Sequence, residues 1–177
     1  PQTTRTRIVG VKNYDEGQVV FVDTPGVHKP THRMNVRMVD VALDAMREVD
    51  VLCLVVDVSV KPGPGDRFLL TLLKDVKTPT ILALNKVDVV AKPRLLPIID
   101  HYHRQHPFAE IVPISATDGT NVDTLEKLFL QHLPDGDPLY PADYVTDQPE
   151  RFFIGEIVRE QVLLRTISFR DEDAADD

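Results

Sequence analysis

Thr80-Ile-Leu-Ala-Leu-Asn-Lys-Val-Asp88 decides how the rest of the chain is read. An unbroken apolar run, Thr80 to Leu84, leads straight into four mostly polar residues. Such a run reads as a strand buried on both faces, as in a parallel sheet. Polar groups just past the carboxyl end of such a strand sit where open α/β sheets bind ligands. Asn85-Lys-x-Asp88 in that place suits a guanine reader. The Asp88 carboxylate can accept from two adjacent donors, the ring N1–H and the exocyclic N2–H₂. Adenine lacks that pair and would leave Asp88 unmatched. Asn85 can bond the N7 or O6 side of the base or brace the loop, and the Lys86 stem can lie flat on the ring. Taken alone, the same four residues also make a polar turn after a strand.

Working outward, Val51 to Asp57 reads as a second fully buried strand, and Glu110 to Ser115 as a third. Between them, Asp66 caps a helix through about Val76 and Pro93 opens a weaker one through about Gln105. Asn121 to His132 follows as an amphipathic helix. This alternation of strand and helix from residue 50 predicts a parallel, doubly wound α/β sheet. Upstream, Ile8 to Asn13 and Gln18 to Asp23 flank the turn signal Asn13-Tyr-Asp-Glu-Gly17 and predict an antiparallel hairpin. Met34 to Val49 carries apolar residues at helical spacing. Downstream, Leu133 to Asp147 is rich in Pro, Tyr and Asp and reads as an interdomain linker. Asp147 and Glu150 then form an acidic variant of a capping box, opening a helix from about Pro149 to Arg165. That helix is too apolar to stand alone in water and calls for a partner surface.

Composition narrows the function classes. The 177 residues are 42% apolar with a formal net charge of −8, so the chain as a whole carries no electrostatic footprint for nucleic acid. Five acids in Asp171-Glu-Asp-Ala-Ala-Asp-Asp177 read as a solvated, disordered tail. The single cysteine, Cys53, lies in an apolar run and reads as a buried, inert thiol. His101, His103 and His106 look like a metal cluster, but offsets of two and five do not share one helix face. A chain beginning at Pro1 in mid-pattern reads as a piece of something longer.

Two further motifs change the weight of the first. Asp23-Thr-Pro-Gly26 ends a strand. There Asp23 can hold Mg²⁺ through water, while the Gly26 N–H meets the γ-phosphate of a nucleotide. Ser115-Ala116 ends another strand, with side chains small enough for a backbone N–H to approach the guanine O6. Thr3 or Thr4 offers a hydroxyl to Mg²⁺. Asp57 also ends a strand and reads as structural or edge-of-site. One guanine-nucleotide site explains the three motifs in this order at strand ends.

Here the sequence resembles the Era family of bacterial ribosome-assembly GTPases, within the TrmE–Era–EngA superfamily. The matching stretches are residues 1–10, Phe21-Val-Asp-Thr-Pro-Gly-Val-His28, Leu84-Asn-Lys-Val-Asp88, Ile111-Val-Pro-Ile-Ser-Ala116, and Tyr140 to Asp147 leading to Arg151-Phe-Phe153 and Ile157-Val-Arg-Glu160. The segment from Tyr140 to Glu160 is the specific one. It is similar to the linker and first helix of the family's C-terminal KH domain, which binds ribosomal RNA. It argues against a tandem-G-domain ribosome factor or a tRNA-modification GTPase.

The resemblance implies a P-loop GTPase-type doubly wound sheet lacking its first strand and phosphate loop, plus the start of a KH domain. Residues 1–132 would be a partial G domain, 133–147 a linker, 148–166 the first KH helix and 167–177 a divergent acidic tail. It implies GTP/GDP and Mg²⁺ as ligands. Asp23, Thr24, Pro25 and Gly26 would sense phosphate, with Thr3, Thr4 and Asp23 at the metal. Asn85, Lys86, Asp88, Ser115 and Ala116 would hold the base. Val27 stands where many GTPases place a water-orienting glutamine, so hydrolysis to GDP and phosphate would be slow. The implied partners are the small ribosomal subunit and its RNA, with no DNA, in the cytoplasm and with a peripheral contact on the inner membrane face. No Gly-x-x-x-x-Gly-Lys-Ser/Thr loop occurs in the 177 residues. The expected consequence is a slot one strand wide, about 4.8 Å, between the strands ending at Asp23 and Asp57. The flanking edges are expected to be unpaired and buried, and this chain alone is expected to be inactive. The other class of reading is a non-catalytic ribosome-interaction scaffold.

Overall fold

The computed structural model describes residues 8–23, 46, 48–74 and 76–173, with the backbone alone at Glu150 and 163–173. Strands β1 (Ile8–Tyr14) and β2 (Gly17–Asp23) form the expected antiparallel hairpin, with Ile8 opposite Asp23. Strands β3 (Leu52–Asp57), β4 (Thr80–Asn85) and β5 (Glu110–Pro113) form a separate parallel sheet in that order. Helices α1 (Pro64–Leu73), α2 (Leu95–His103) and α3 (Val122–His132) cover this sheet, and α4 (Glu150–Asp173) follows. The helix expected over 34–49 lies mostly outside the described residues, of which Met46 and Glu48 are helical.

The opening run is the centre of the core. Ile81, Leu82, Ala83 and Leu84 are each 0% exposed. Alternation along the strand sends Leu82 and Leu84 to one face, with Leu70 and Leu73 of α1 and Tyr102 of α2. Ile81 and Ala83 join the other cluster, with Leu125, Leu128 and Phe129 of α3. Helices on both faces explain why β4 is apolar without alternation.

β3 departs from expectation. It is not buried on both faces: Cys53 is exposed and Val55 is 58% exposed, whereas Leu54 and Val56 turn to the core. The cause is its place as an edge strand, paired with β4 alone among the described residues. Cys53 is therefore not a buried thiol, although the apolar walls around its sulfur push its pKa up to about 11. β2 likewise pairs only with β1 among the described residues. Between β2 and β3 lies a cavity of about 360 Å³, lined by Val20, Val22, Leu52 and Cys53 among others. This cavity lies where the slot is expected, but Cys53 and Val55 of β3 are exposed rather than buried.

Two devices join the sheets. Phe129 of α3 meets Phe21 of β2 edge-on, with ring centroids 5.8 Å apart, and Glu126 accepts from Lys12 of β1 at 2.5 Å. The second device is the segment after α3. Its end runs along the outer edge of β1, where Thr146 bridges Gly10, and Val11 N donates to Val145 O at 2.7 Å. Asp147 Oδ1 accepts from Val9 N at 3.1 Å. Gln18 holds Tyr140 from both sides, donating to its carbonyl at 2.9 Å and accepting from its N–H at 3.0 Å. Gln18→Ala removes both bonds, so we expect a stability loss of about 1–2 kcal/mol in urea denaturation. Faster hydrogen exchange at the Tyr140 amide should accompany it, and an unchanged exchange rate would refute the clasp.

Smaller differences have local causes. Asp66 is not the N-cap of α1 but its third residue, reaching back to Gly63 N at 2.6 Å, with Pro64 opening the helix. Pro93 sits in a 3₁₀ turn, Lys92–Arg94, before α2. α4 continues to Asp173, so the first acids of the tail are helical rather than disordered. Once nucleated, a helix extends at little cost.

Candidate guanine-nucleotide site

The carboxyl ends of β3, β4 and β5 lie side by side, and the base-reading candidates gather there. Asn85 ends β4, and Lys86 turns the chain with φ 71°, in the left-handed region. A 3₁₀ turn, Val87–Val89, then carries Asp88. Its N-terminal residue is anchored across the sheet end, where Val87 N donates to Ile114 O at 3.2 Å.

Asn85 is the keystone of this edge. Its Oδ1 accepts from Lys86 N at 2.8 Å and from Ala116 N at 3.0 Å. One side-chain oxygen thus joins the loop after β4 to the loop after β5. Ser115 is fully buried. Its N–H donates to Thr120 O at 3.0 Å, and its hydroxyl accepts from Asp118 N at 3.3 Å. Asp118 accepts from Thr120 N at 2.8 Å, and bonding to Thr120 holds its carboxyl below the usual range. Asn121, itself left-handed at φ 57°, donates to Pro113 O at 2.8 Å. These bonds brace the loop after β5 from within. The Ala116 N–H is already given to Asn85, so a purine O6 arriving here would be a competing acceptor.

Asp88 is exposed, and its carboxylate has no hydrogen-bond partner among the described residues. Two acceptor oxygens stand ready at the rim of the braced loops. Lys86 is different: its Nζ lies 2.6 Å from Asp57 Oδ2. Hydrogen bonds from Lys86, then from Ser59, lower the Asp57 pKa to about 2. A carboxyl depressed in the fold adds stability above its unfolded pKa and loses it as pH falls through the folded value. Asp57→Asn should therefore flatten the acid limb of the stability curve between about pH 4 and pH 2, read by thermal melts. An acid limb identical to the parent's would contradict the pairing.

The phosphate-side candidates are only partly described. Asp23 ends β2 in the other sheet and is exposed. Thr3, Thr4, Thr24, Pro25, Gly26 and Val27 lie outside the described residues. The Ile8–Asp23 register shows that both of these segments join the hairpin at the same end. Among the described residues no three His, Cys, Asp or Glu groups are placed to hold a metal. His101 bonds Gln105, whereas His106 stacks edge-on against Phe108.

Sequence reasoning undervalued Asp57 and did not single out Asp118 or Asn121. The signals were Asp57-Val-Ser59 and Asp118-Gly-Thr120, in which an Asp side chain can bond the backbone two residues on.

Comparison with known proteins places this edge in context. Residues 1–86 match a family model described as 50S ribosome-binding GTPase. GTPase Era of Alkaliphilus metalliredigens is 47% identical over 163 residues, 92% of this chain and 55% of that protein. GTPase Era of Heliobacterium modesticaldum is 46% identical over 166 residues, 94% of this chain and 56% of that protein. Over more than nine-tenths of its length the chain is similar to Era. Two solved Era structures superpose with a TM-score of 0.80 at 40% identity. One, covering 90% of this chain and 55% of that one, is Era in complex with MgGDPNP and nucleotides 1506–1542 of 16S ribosomal RNA. The other, covering 92% and 56%, is a variant of Aquifex aeolicus Era bound to GDP·AlF4⁻. The fold is therefore the P-loop GTPase-type α/β fold of Era. The chain spans about half the length of the curated Era relatives it matches, 55% and 56%.

Proposed function

We propose that this chain is the guanine-reading portion of a GTP-binding, GTP-hydrolysing factor that acts on small-subunit ribosomal RNA during ribosome assembly. The observation that carries the reading is the Asn85 bridge, which locks two loops beside the unpartnered Asp88 carboxylate. In this reading Asp88 accepts from guanine N1–H and N2–H₂, the Lys86 stem lies on the ring, and Ser115 and Ala116 shape the O6 side. Asn85 Oδ1 is spent on the backbone, which leaves its amide nitrogen to donate to N7.

The phosphate end belongs to Asp23, Thr24, Pro25 and Gly26, with Thr3 or Thr4 and Asp23 at Mg²⁺. When bound, the metal would neutralise charge on the phosphates. Val27 has no polar group to orient the attacking water, so the intrinsic rate is slow. Residues 1–132 act as the partial nucleotide domain, 133–147 as the linker and 148–166 as the first KH helix, with 167–177 beyond the resemblance. Phe153, Ile154, Ile157, Val158 and Val162 of α4 are 42–58% exposed, which supports a helix meant to pack on further structure.

The 16S RNA in the Era complex supports the small subunit as partner. The family model's description names the large subunit, but its match ends at residue 86, before the RNA-binding segment begins. No helix among the described residues is long and apolar enough to cross a membrane. A cytoplasmic site of action fits this reading, and a peripheral membrane contact rests on the family resemblance alone.

The test is base selectivity in the chain itself. GDP should shift the Ala116 and Asp88 amide resonances at millimolar concentration while ADP leaves them in place. Equal shifts from both nucleotides would sink the reading. GTP turnover by residues 1–177 alone should be undetectable.

A further inference from the structure

We propose that Asp57 is the positioning residue for Lys86, holding the lysine stem where a purine base read by Asp88 lies against it. This rests on the reading of Asp88 as the base reader.

The parallel register makes Asp57 the direct partner of Asn85, so Lys86 leaves β4 beside the end of β3. The two strand ends are locked together by the bond from Val58 N to Asn85 O at 3.0 Å. The Asp57 carboxylate has its oxygens assigned to different tasks. Oδ1 accepts from Ser59 N at 2.9 Å and from the Ser59 hydroxyl at 2.5 Å, while Oδ2 takes Lys86 Nζ at 2.6 Å. The acceptor is therefore fixed before the lysine arrives.

An unanchored lysine on a surface carries the largest class of side-chain entropy and loses it when a ligand lands. Tethered at its amine, the stem is already ordered, and an ordered apolar shelf costs less to bind against. The amine is thereby engaged with β3, so what the lysine offers a base is its methylene chain, which is blind to the base's substituents. Asp57 should govern how tightly any purine is held, and Asp88 which purine is chosen.

The experiment is an NMR titration of the 177-residue chain with guanosine and inosine 5′-monophosphates. Asp57→Asn should weaken both by the same factor, about threefold, leaving their ratio unchanged. Asp88→Asn should change the ratio instead. In a Lys86→Met background Asp57→Asn should have no further effect. An equal loss with methionine present marks Asp57 as merely structural and overturns the proposal, as does no loss at all. A ratio unmoved by Asp88→Asn overturns the base-reader assignment instead. Should Asp57→Asn not fold, Ser59→Ala reads the same direction with a smaller loss. A nucleotide-free measurement stands beside these and decides the case where binding is too weak to titrate. Relaxation of the Lys86 ε-methylene should show less motion than that of the exposed Lys61, and Asp57→Asn should abolish the difference. Lys86 as mobile as Lys61 in the parent chain overturns the proposal.

Discussion

Asp88→Asn should convert a preference for guanine into a preference for xanthine. The carboxylate offers two acceptors, and guanine presents two donors in line with them. An asparagine amide keeps one acceptor and substitutes a donor, which faces the guanine N2–H₂ donor and is repelled. Xanthine carries an oxygen at that position, so donor meets acceptor again. Losing one charge-assisted bond and leaving its partner unpaired costs about 3 kcal/mol, so guanine affinity should fall about 100-fold. Competition between GDP and xanthosine diphosphate measures the switch, in the N-terminally extended protein described next. The Asn85 bridge keeps the two loops in place in the variant, because Asp88 takes no part in it. A variant that loses GDP without gaining the xanthine nucleotide would mean Asp88 holds the loop and does not read the base.

The second large effect concerns the phosphate end. Joining the chain at its N-terminus to an apolar strand and a Gly-x-x-x-x-Gly-Lys-Ser/Thr loop should raise nucleotide affinity about 1,000-fold. The strand would enter the cavity of about 360 Å³ and pair with the edges of β2 and β3 that have no partner among the described residues. The loop would then deliver backbone N–H groups and a lysine to the phosphates. Three charge-assisted hydrogen bonds, at about 1.5–3 kcal/mol each, account for at least that factor. Calorimetric titration with GDP compares the two proteins. The melting temperature should rise as well, because Val55 and Cys53 on β3 gain neighbours. If the 177-residue chain binds GDP within tenfold of the extended protein, base recognition alone carries the affinity and the division of the site is wrong. The extended protein should also turn over GTP, slowly, where the shorter chain does not.

Both predictions separate along a line that the chain itself draws. The proposed base-reading edge is built from β3, β4 and β5, whose order in space is their order in sequence. Each candidate residue there lies at the end of its own strand or within a few positions of it, so local pattern suffices to find it. That is why Asn85, Lys86, Asp88, Ser115 and Ala116 stand out as candidates in the sequence. Asp57 was seen at a strand end but not connected to Lys86, because the contact spans 29 positions and arises from register. The linker gave a subtler lesson. Its Pro, Tyr and Asp content marked it as irregular, yet Gln18, Asn13 and Val9 hold it along β1. Irregular backbone still needs partners for its polar groups, and composition does not say which surface supplies them.

The sequence by itself determined the hairpin, the parallel strands and the helices that the described residues show, and it singled out Asn85-Lys-Val-Asp88 as the candidate base reader. These follow from periodicity and turn chemistry, which act over a few residues. Only the tertiary structure decided that β3 pairs with β4 alone among the described residues, that Cys53 is exposed, that Asn85 joins two loops and that Lys86 is tethered to Asp57. Those depend on which strand lies beside which. A run of apolar residues records that a strand can be buried, but not which strands lie beside it.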